Sequence, residues 1–530
     1  MSSETLDSWK AIAVYLKRDV RTVMRWERAR ALPVHRIPGG SKPGVYALRS
    51  ELDTWRKSEH PHIAEQAHQA TPPHSPPSVA ILPFANLSAD KENEYFGDGL
   101  ADEIINMLTR IKGLRVTART SSFAFRDTFL DVRQIGARLG VSSLLEGSVQ
   151  RSGGRLRVSA QLVDTANGFH VWSDQYNRPA DDIFVVQDQI ASAIARALQV
   201  RLEPFRGPRP TENVEAYNHW LKARYHHQYE TMDAIAKCQL HLERAIALDP
   251  RFPQPYVSLA QLLRGIAFFG ALRPRDAIAQ GRAALEKALA LDDSQGEAHA
   301  VSAAYRVWAH FDWSGAAADF ERALALAPGS SEVRSLRAVN YLVPTGHLDE
   351  AEEEMERVIE LDPVSPIALI ELAKVLLWQR RFDRASAKLE AALEFRPDYP
   401  PAIFYRGAAL YYQGAFGEGL PFTQDAMQKL GPNPAMMGAI GLALSRVGRH
   451  AEAREMLNQL AAAGRERYVS PIGRALIYIG LGETDAFFES MAHAVDERDP
   501  HVLELPVKPV YDGVRNDPRF TALLRTMHLG

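Results

Sequence analysis

The second half of the chain shows a helical pattern of apolar positions and repeats one short phrase. From about residue 211 onward, small and apolar residues recur three and four positions apart. The phrase reads, in chain order, AIALDP (245–250), ALALDD (288–293), ALALAP (323–328), VIELDP (358–363), ALEFRP (392–397) and MQKLGP (427–432). The last residues of successive copies are 43, 35, 35, 34 and 35 positions apart. A period of about 34 residues predicts pairs of antiparallel helices stacked as an all-α solenoid, here over 211–530 with a C-terminal cap from 501.

A block in which strands and helices alternate precedes the solenoid. Residues 79–84 and 114–117 are short apolar runs typical of buried strands. Residues 144–151 and 155–164 flank a Ser-Gly-Gly turn and predict a hairpin, with apolar residues at every second position of its second strand. Asp98 precedes a helical pattern and is expected to be its N-cap. The block predicts an α/β domain over 79–205.

The first 58 residues predict a third kind of domain. The pattern of apolar positions predicts two short helices, over 9–16 and 20–30, around a tight turn. The second helix carries a basic stripe at positions i, i+4 and i+7, namely Arg21, Arg25 and Arg28. Two short apolar stretches then flank a Gly-rich loop, which is typical of a β-wing, and Arg36 and Lys42 are its cations. A helix for the major groove and a wing for the adjacent phosphates indicate a winged helix-turn-helix DNA-binding domain.

Charge is distributed unevenly along the 530 residues and supports a polyanion partner for the N-terminal end. The net charge is −3, but residues 1–58 hold twelve Lys/Arg against six Asp/Glu, so this segment is +6 and the remainder −9. The alternative interpretation of the arginine stripe is a solvated helix face. Hydrophobic residues make up 46% and charged residues 24% of the chain, which is globular composition and excludes global disorder.

Residues 59–78 contain five prolines and four histidines and are expected to be a semi-extended linker, with a metal-binding tract as the alternative.

Cys238 is the single cysteine, so no intramolecular disulfide forms, and its position in the repeat predicts helix packing rather than a reactive thiol. The N-terminus has no signal-peptide pattern and no apolar run is long enough to span a bilayer, so a cytoplasmic protein is expected.

The N-terminal segment resembles a known DNA-binding family. Residues 16–26 (LKRDVRTVMRW), the wing, and Glu51-Leu52-x-x-Trp55 resemble the winged helix-turn-helix of MerR-like and excisionase-like proteins. The resemblance implies that Arg21, Thr22 and Arg25 face DNA. With the rest of the stripe and the wing, the predicted DNA-binding residues are Arg21, Thr22, Arg25, Arg28, Arg36 and Lys42.

Two further resemblances cover the rest of the chain. Five stretches of the α/β block resemble the TolB-like N-terminal domain of bacterial signalling proteins: 79–84 (VAILPF), 94–100 (EYFGDGL), 119–123 (RTSSF), 145–149 (LEGSV) and 161–164 (QLVD). The solenoid resembles tetratricopeptide repeats. The first resemblance implies no established catalysis, and the second implies a surface that grips peptides or partner proteins.

Candidate chemistry is sparse. The sequence contains no GxxxxGK[ST], GxSxG or HExxH motif and no cysteine pair, so an enzyme is not expected, nor a cofactor or metal. Residues 96–99 (FGDG) predict a tight strand-to-helix turn, with an anion site as the alternative. Residues 119–122 are a second candidate for a polar ligand pocket. Tyr405, Tyr411 and Tyr412 either line a peptide surface or lie between helices.

These features predict a transcriptional regulator. Its winged helix-turn-helix would bind double-stranded DNA, and a partner protein, peptide or small ligand on the TolB-like and tetratricopeptide half would change DNA occupancy through dimerisation. The alternative is a protein–protein interaction scaffold in bacterial signalling that does not bind DNA sequence-specifically.

Overall fold

The computed structural model describes residues 5–6, 8–16, 32–36, 45–52, 76–88, 94–126, 128, 130–152, 154–179, 182–200, 211–227 and 231–530. The chain divides into two compact units, Met1–Ser75 and Pro76–Gly530. The first unit contains the predicted DNA-binding segment. The second contains both the α/β block and the solenoid.

The described part of the N-terminal unit is a small sheet with one helix. Its elements are β1 (Thr5–Leu6), α1 (Trp9–Leu16), β2 (His35–Arg36) and β3 (Val45–Leu48). The strands are antiparallel in the order β1-β3-β2, and α1 buries Ile12 and Ala13 against Leu52. The first predicted helix and an antiparallel strand pair at 35–36 and 45–48 are therefore present. The second helix predicted over 20–30 and the tip of the wing lie outside the described residues, so the winged helix-turn-helix as a whole is not shown.

The α/β block is a mixed sheet with helices packed on it. Its strands are β4 (Ser78–Ile81), β5 (Ala85–Asn86), β6 (Arg115–Val116), β7 (Ser143–Ser152), β8 (Arg155–Asp164) and β9 (His170–Pro179). Its helices are α2 (Glu94–Leu108), α3 (Arg119–Phe123), α4 (Val132–Leu139) and α5 (Ile183–Ala197).

The strand order is β6-β4-β7-β8-β9, with β5 beside β7. Strand β4 runs parallel to β6 and to β7, and β5 runs parallel to β7. Strand β8 is antiparallel to both β7 and β9. The pairing Ser152↔Arg155 closes the β7–β8 turn, which confirms the predicted hairpin. The alternating apolar residues of β8, from Leu156 to Leu162, are buried in one core with residues of α2 and α5.

The prediction that Asp98 caps a helix after a tight turn is wrong. Residues 96–99 lie inside α2, and Asp98 is buried there and forms an ion pair with Arg126. The two glycines serve close packing instead of a turn. A Cβ on Gly99 would lie 2.5 Å from the side chain of Leu221 in the solenoid, so only glycine allows that approach.

The solenoid is a continuous series of helices. They are α6 (Val214–His227), α7 (Met232–Leu248), α8 (Gln254–Phe268), α9 (Pro274–Leu291), α10 (Gly296–His310), α11 (Trp313–Leu326), α12 (Ser331–Arg337), α13 (Leu348–Leu361), α14 (Pro366–Trp378), α15 (Phe382–Phe395), α16 (Pro400–Tyr412), α17 (Phe416–Leu430), α18 (Pro434–Arg446), α19 (His450–Ala463), α20 (Pro471–Leu481) and α21 (Thr484–Asp496). A π-helical turn, Ala338–Leu342, extends α12.

Proline opens several of these helices because the first helical position needs no backbone donor. The chain ends in two 3₁₀ helices, Pro500–Glu504 and Pro509–Val514, and in α22 (Pro518–Thr526). Among the helices of the described residues, none is long and apolar enough to cross a lipid bilayer.

Candidate partner-binding surfaces of the solenoid

The turns that carry the repeated phrase form one edge of the solenoid, called here the inter-repeat edge. It comprises residues 248–251, 291–294, 326–330, 361–365, 395–399 and 430–433. The α/β block docks on two of these turns through backbone hydrogen bonds. The amide of Gly329 donates to the carbonyl of Thr109 over 3.2 Å, and the amide of Ala118 donates to the carbonyl of Leu361 over 2.7 Å. The inter-repeat edge therefore binds another domain of the same chain.

Asp362 fixes this docking by capping a helix far away in sequence. Helix α3 has no capping side chain of its own, because its N-cap residue is an alanine, Ala118. Instead, the Ser121 amide in its first turn donates to Oδ1 of Asp362 over 2.9 Å, and the Val364 amide donates to the Ser121 hydroxyl over 2.9 Å. The candidate polar pocket at 119–122 is thus a docking element that contacts the solenoid.

A second contact joins α2 to the first solenoid helix. Asp102 of α2 is buried and lies 2.7 Å from the Arg224 guanidinium of α6 and 3.4 Å from that of Arg119. Burial raises the pKa of the neighbouring Glu103 to about 7, and the charge of Asp102 adds to that shift. The interface between the block and the solenoid is therefore charged and mostly closed to solvent.

Further along the inter-repeat edge, the fourth position of the repeated phrase becomes exposed. Leu361 is the fourth residue of its phrase and is half-buried, and Phe395 and Leu430 occupy the same place in the next two phrases. Their exposed fractions are 44% and 38%. Because exposed apolar side chains recur at one position of successive repeats, Phe395 and Leu430 are a candidate partner-binding site.

The first helices of several pairs are covered by residues 497–515, called here the C-terminal segment. The ring of His501 stacks on Phe268 of α8 at 4.5 Å between centroids. The indole Nε1 of Trp308 in α10 donates to the carbonyl of Arg498 over 2.6 Å. The predicted C-terminal cap therefore also lies across repeats that are distant in sequence, as a bound peptide would.

Lys374 is the centre of the charge contacts under this segment. Lys374 is 3% exposed. Its Nζ lies 2.9 Å from a carboxylate oxygen of Glu371 and 3.5 Å from one of Glu504. Glu504 also accepts from Lys508 over 2.7 Å. Burial alone would raise the pKa of Glu504, but Lys508 and Lys374 outweigh it and lower that pKa to about 2.

The structure places few of the residues predicted to bind DNA. Arg36 lies in β2, opposite Val45, with an exposed side chain. Arg21, Thr22, Arg25, Arg28 and Lys42 lie outside the described residues, so their role stays a prediction.

The tyrosines and the cysteine have clearer places. Tyr411 is buried between helices, and Tyr405 and Tyr412 are half-buried close to the C-terminal segment. Cys238 is 3% exposed, and burial raises the pKa of its thiol to about 12, in agreement with the packing role predicted for it.

Residues 345–404 match the family model described as tetratricopeptide repeat, which confirms the predicted repeats. Solved structures with likeness to the chain include Pseudomonas aeruginosa pilF, 19% identical, covering 44% of this chain and 98% of that chain with a TM-score of 0.31. A monomeric mutant of IFIT1 with Gppp-AAAA is 15% identical and covers 65% of this chain and 76% of that chain, with a TM-score of 0.42.

A curated relative has a different kind of name. "Putative adenylate cyclase 3" of Rhizobium meliloti (strain 1021) is 35% identical over 269 residues, which is 48% of this chain and 45% of the relative. The chain thus spans less than half the length of the curated relative that it matches.

The prediction that the chain is not an enzyme is contradicted by this relative, because the relative is named as one. That prediction depended on the lack of short catalytic motifs. An active site assembled from residues far apart in the chain leaves no such motif in the sequence.

Proposed function

We propose that the chain is a scaffold that binds a partner protein through its tetratricopeptide solenoid. The supporting observation is that the chain's own α/β block hydrogen-bonds to the backbone of Leu361, whereas Phe395 and Leu430, at the same position of the next two phrases, are exposed. The partner would bind the turns of the inter-repeat edge that follow the turn bound by the α/β block.

The contacts within the chain indicate how such a partner would bind. On the covered turns, backbone amides and carbonyls pair directly, and Asp362 accepts from a helix start. The bare turns lack an aspartate at the equivalent positions, which are Arg396 and Gly431. We therefore infer an apolar patch on the partner, which would bury Phe395 and Leu430, with polar groups around it.

The experiment compares three tagged forms of the full chain as baits in cell extract. The wild type, the double variant Phe395→Asp/Leu430→Asp, and the matched control Val447→Asp are analysed by quantitative mass spectrometry. Val447 is similarly exposed, at 40%, but lies at a turn within a helix pair. Proteins retained by the wild type and the control and lost from the double variant support the proposal. Equal recovery by all three baits contradicts it.

The relative's name supports a second candidate, which is that the chain takes part in forming cyclic AMP from ATP. The test is incubation of the purified full chain with ATP and Mg²⁺ or Mn²⁺, with cyclic AMP measured by mass spectrometry. Product above that of a boiled sample supports this candidate. A rate equal to the boiled sample with both metals contradicts catalysis by the chain alone.

We retain DNA binding as a proposal for the N-terminal unit. Its support is the +6 charge of residues 1–58 and the resemblance carried by residues 16–26. A mobility-shift assay with selected duplexes should show binding that weakens steeply with salt and is reduced by Arg21→Ala/Arg25→Ala. Binding unchanged in that variant would show that these arginines do not contact DNA.

A further inference from the structure

The last strand of the α/β sheet lies at its edge. Strand β9 pairs with β8 on one side, and within the residues that the structure describes no strand pairs with it on the other. It is ten residues long, whereas β6 at the opposite edge of the sheet has two. Natural proteins usually keep edge strands short or covered, because their free backbone groups bind other strands. Strand β9 is therefore a candidate interaction surface.

The pairing pattern identifies the backbone groups of β9 that point to this edge. The turn between β7 and β8 closes on the pair Ser152↔Arg155, so β8 bonds to β7 through its odd-numbered residues and to β9 through its even-numbered ones. Over 156–162 of β8, even-numbered residues lie opposite even-numbered residues of β9. The odd-numbered residues of β9 therefore direct their amide and carbonyl groups away from β8, and these are Ser173, Gln175 and Asn177. In agreement, the Gln175 amide donates to Oδ1 of Asp174 over 2.8 Å.

Two opposite charges on β9 lie without an ion-pair partner. Asp174 and Arg178 are both exposed, and within the described part of the chain neither forms an ion pair. They share one face of the strand but lie four positions apart, about 13 Å, so they do not pair with each other. If two copies of β9 pair antiparallel around Tyr176, each Asp174 lies directly opposite Arg178 of the other copy. The strand is therefore complementary in charge to itself.

We propose that β9 pairs antiparallel with β9 of a second copy of this chain, with Tyr176 opposite Tyr176, so that the two sheets join across a two-fold axis. Gln175 then lies opposite Asn177 of the second copy, and the two residues exchange backbone hydrogen bonds. Asp174 and Arg178 fall at the positions without backbone bonds, where opposite side chains lie closest together. To form this ion pair, the Asp174 carboxylate releases the Gln175 amide, which bonds to the second copy instead.

Charge also selects this register over its neighbours. A pairing centred on Asp174 would place two carboxylates opposite each other, which is destabilising. A pairing centred on Gln175 would place Asp174 opposite Tyr176 and leave its charge unpaired. Of these three registers, the one centred on Tyr176 gives two symmetric ion pairs. Because a second copy supplies both partners of each pair, it fits this edge better than an unrelated strand.

The test is sedimentation velocity of the full chain at increasing concentration, where the wild type should sediment more and more as a dimer. Asp174→Arg places two like charges opposite each other at both symmetric positions, and so does Arg178→Asp. Each variant should raise the dissociation constant of the dimer at least about tenfold. The matched control is Arg157→Asp, which reverses an exposed charge on the neighbouring strand β8 and should dimerise as the wild type does.

Mixing the two single variants tests the register itself. One variant then carries two positive charges at positions 174 and 178 and the other carries two negative ones, so an equimolar mixture should form the dimer that neither forms alone. Melting curves check that each variant is folded. A wild type that remains monomeric overturns the proposal, and so does a dimer that persists in both single variants. A mixture of folded variants that remains monomeric overturns it as well.

Discussion

Lys374 gives the sharpest test of how the C-terminal segment is held. Lys374→Met keeps an unbranched side chain of similar length, but removes the charge that lies between Glu371 and Glu504 and faces the rings of Trp378 and Tyr405. Removing one partner of a buried ion pair costs about 3–5 kcal/mol. Because Lys508 still faces Glu504 at 2.7 Å, we expect the lower end of that range.

The loss should appear locally, in hydrogen exchange of residues 497–515. A decrease of about 3 kcal/mol in the free energy of local opening accelerates amide exchange about 150-fold. Exchange of peptides from this segment is measured by mass spectrometry, with Lys287→Met as the control because Lys287 is exposed on α9. Adding Glu371→Gln should recover part of the protection, since the carboxylate that has lost its Lys374 partner is then removed. Exchange within about threefold of the wild type would refute the reasoning.

Three further changes test the docking of the α/β block on the solenoid. Gly99→Val should lower the melting temperature, because a Cβ there would lie 2.5 Å from a leucine side chain of α6, whereas Gly265→Ala, with no atom within 4 Å, should not. Glu103→Gln should flatten the dependence of melting temperature on pH between the unfolded pKa of 4.5 and the folded pKa of about 7. In the wild type the folded state binds the extra proton in that window, so stability falls as pH rises, and an equal slope in the variant would contradict this. Asp362→Ala should leave the Ser121 amide without its acceptor, which lowers the stability of the docked α/β block by about 1–3 kcal/mol. Proteolysis of the α/β block should therefore become faster. Unchanged digestion would show that this cap is dispensable.

The features that were predictable from the sequence are those with a local pattern. The repeated phrase predicts the helix pairs because it recurs at nearly constant spacing after its second copy. The alternation in β8 predicts its buried face because side chains alternate across a strand. Both patterns involve residues that lie close together in the sequence, within one repeat or one hairpin.

The features that were missed depend on partners far away. Asp362 and Ser121 are 241 positions apart, and nothing near either residue indicates the other. The glycines of residues 96–99 are typical of a turn by local rules, yet close packing of α2 on α6 requires Gly99. One signal was available: Lys374 is the one basic residue in the apolar helix α14, and such a residue indicates a buried partner.

The central claim is that the bare part of the inter-repeat edge binds a partner, and site-specific photo-crosslinking tests it most directly. A photoreactive amino acid is placed in the full chain at Phe395, at Leu430 or at Val447, and cells are irradiated. We expect the first two positions to form an adduct with the same protein, and Val447 to form none. Adducts absent at Phe395 and Leu430, or equally abundant at all three positions, would contradict it.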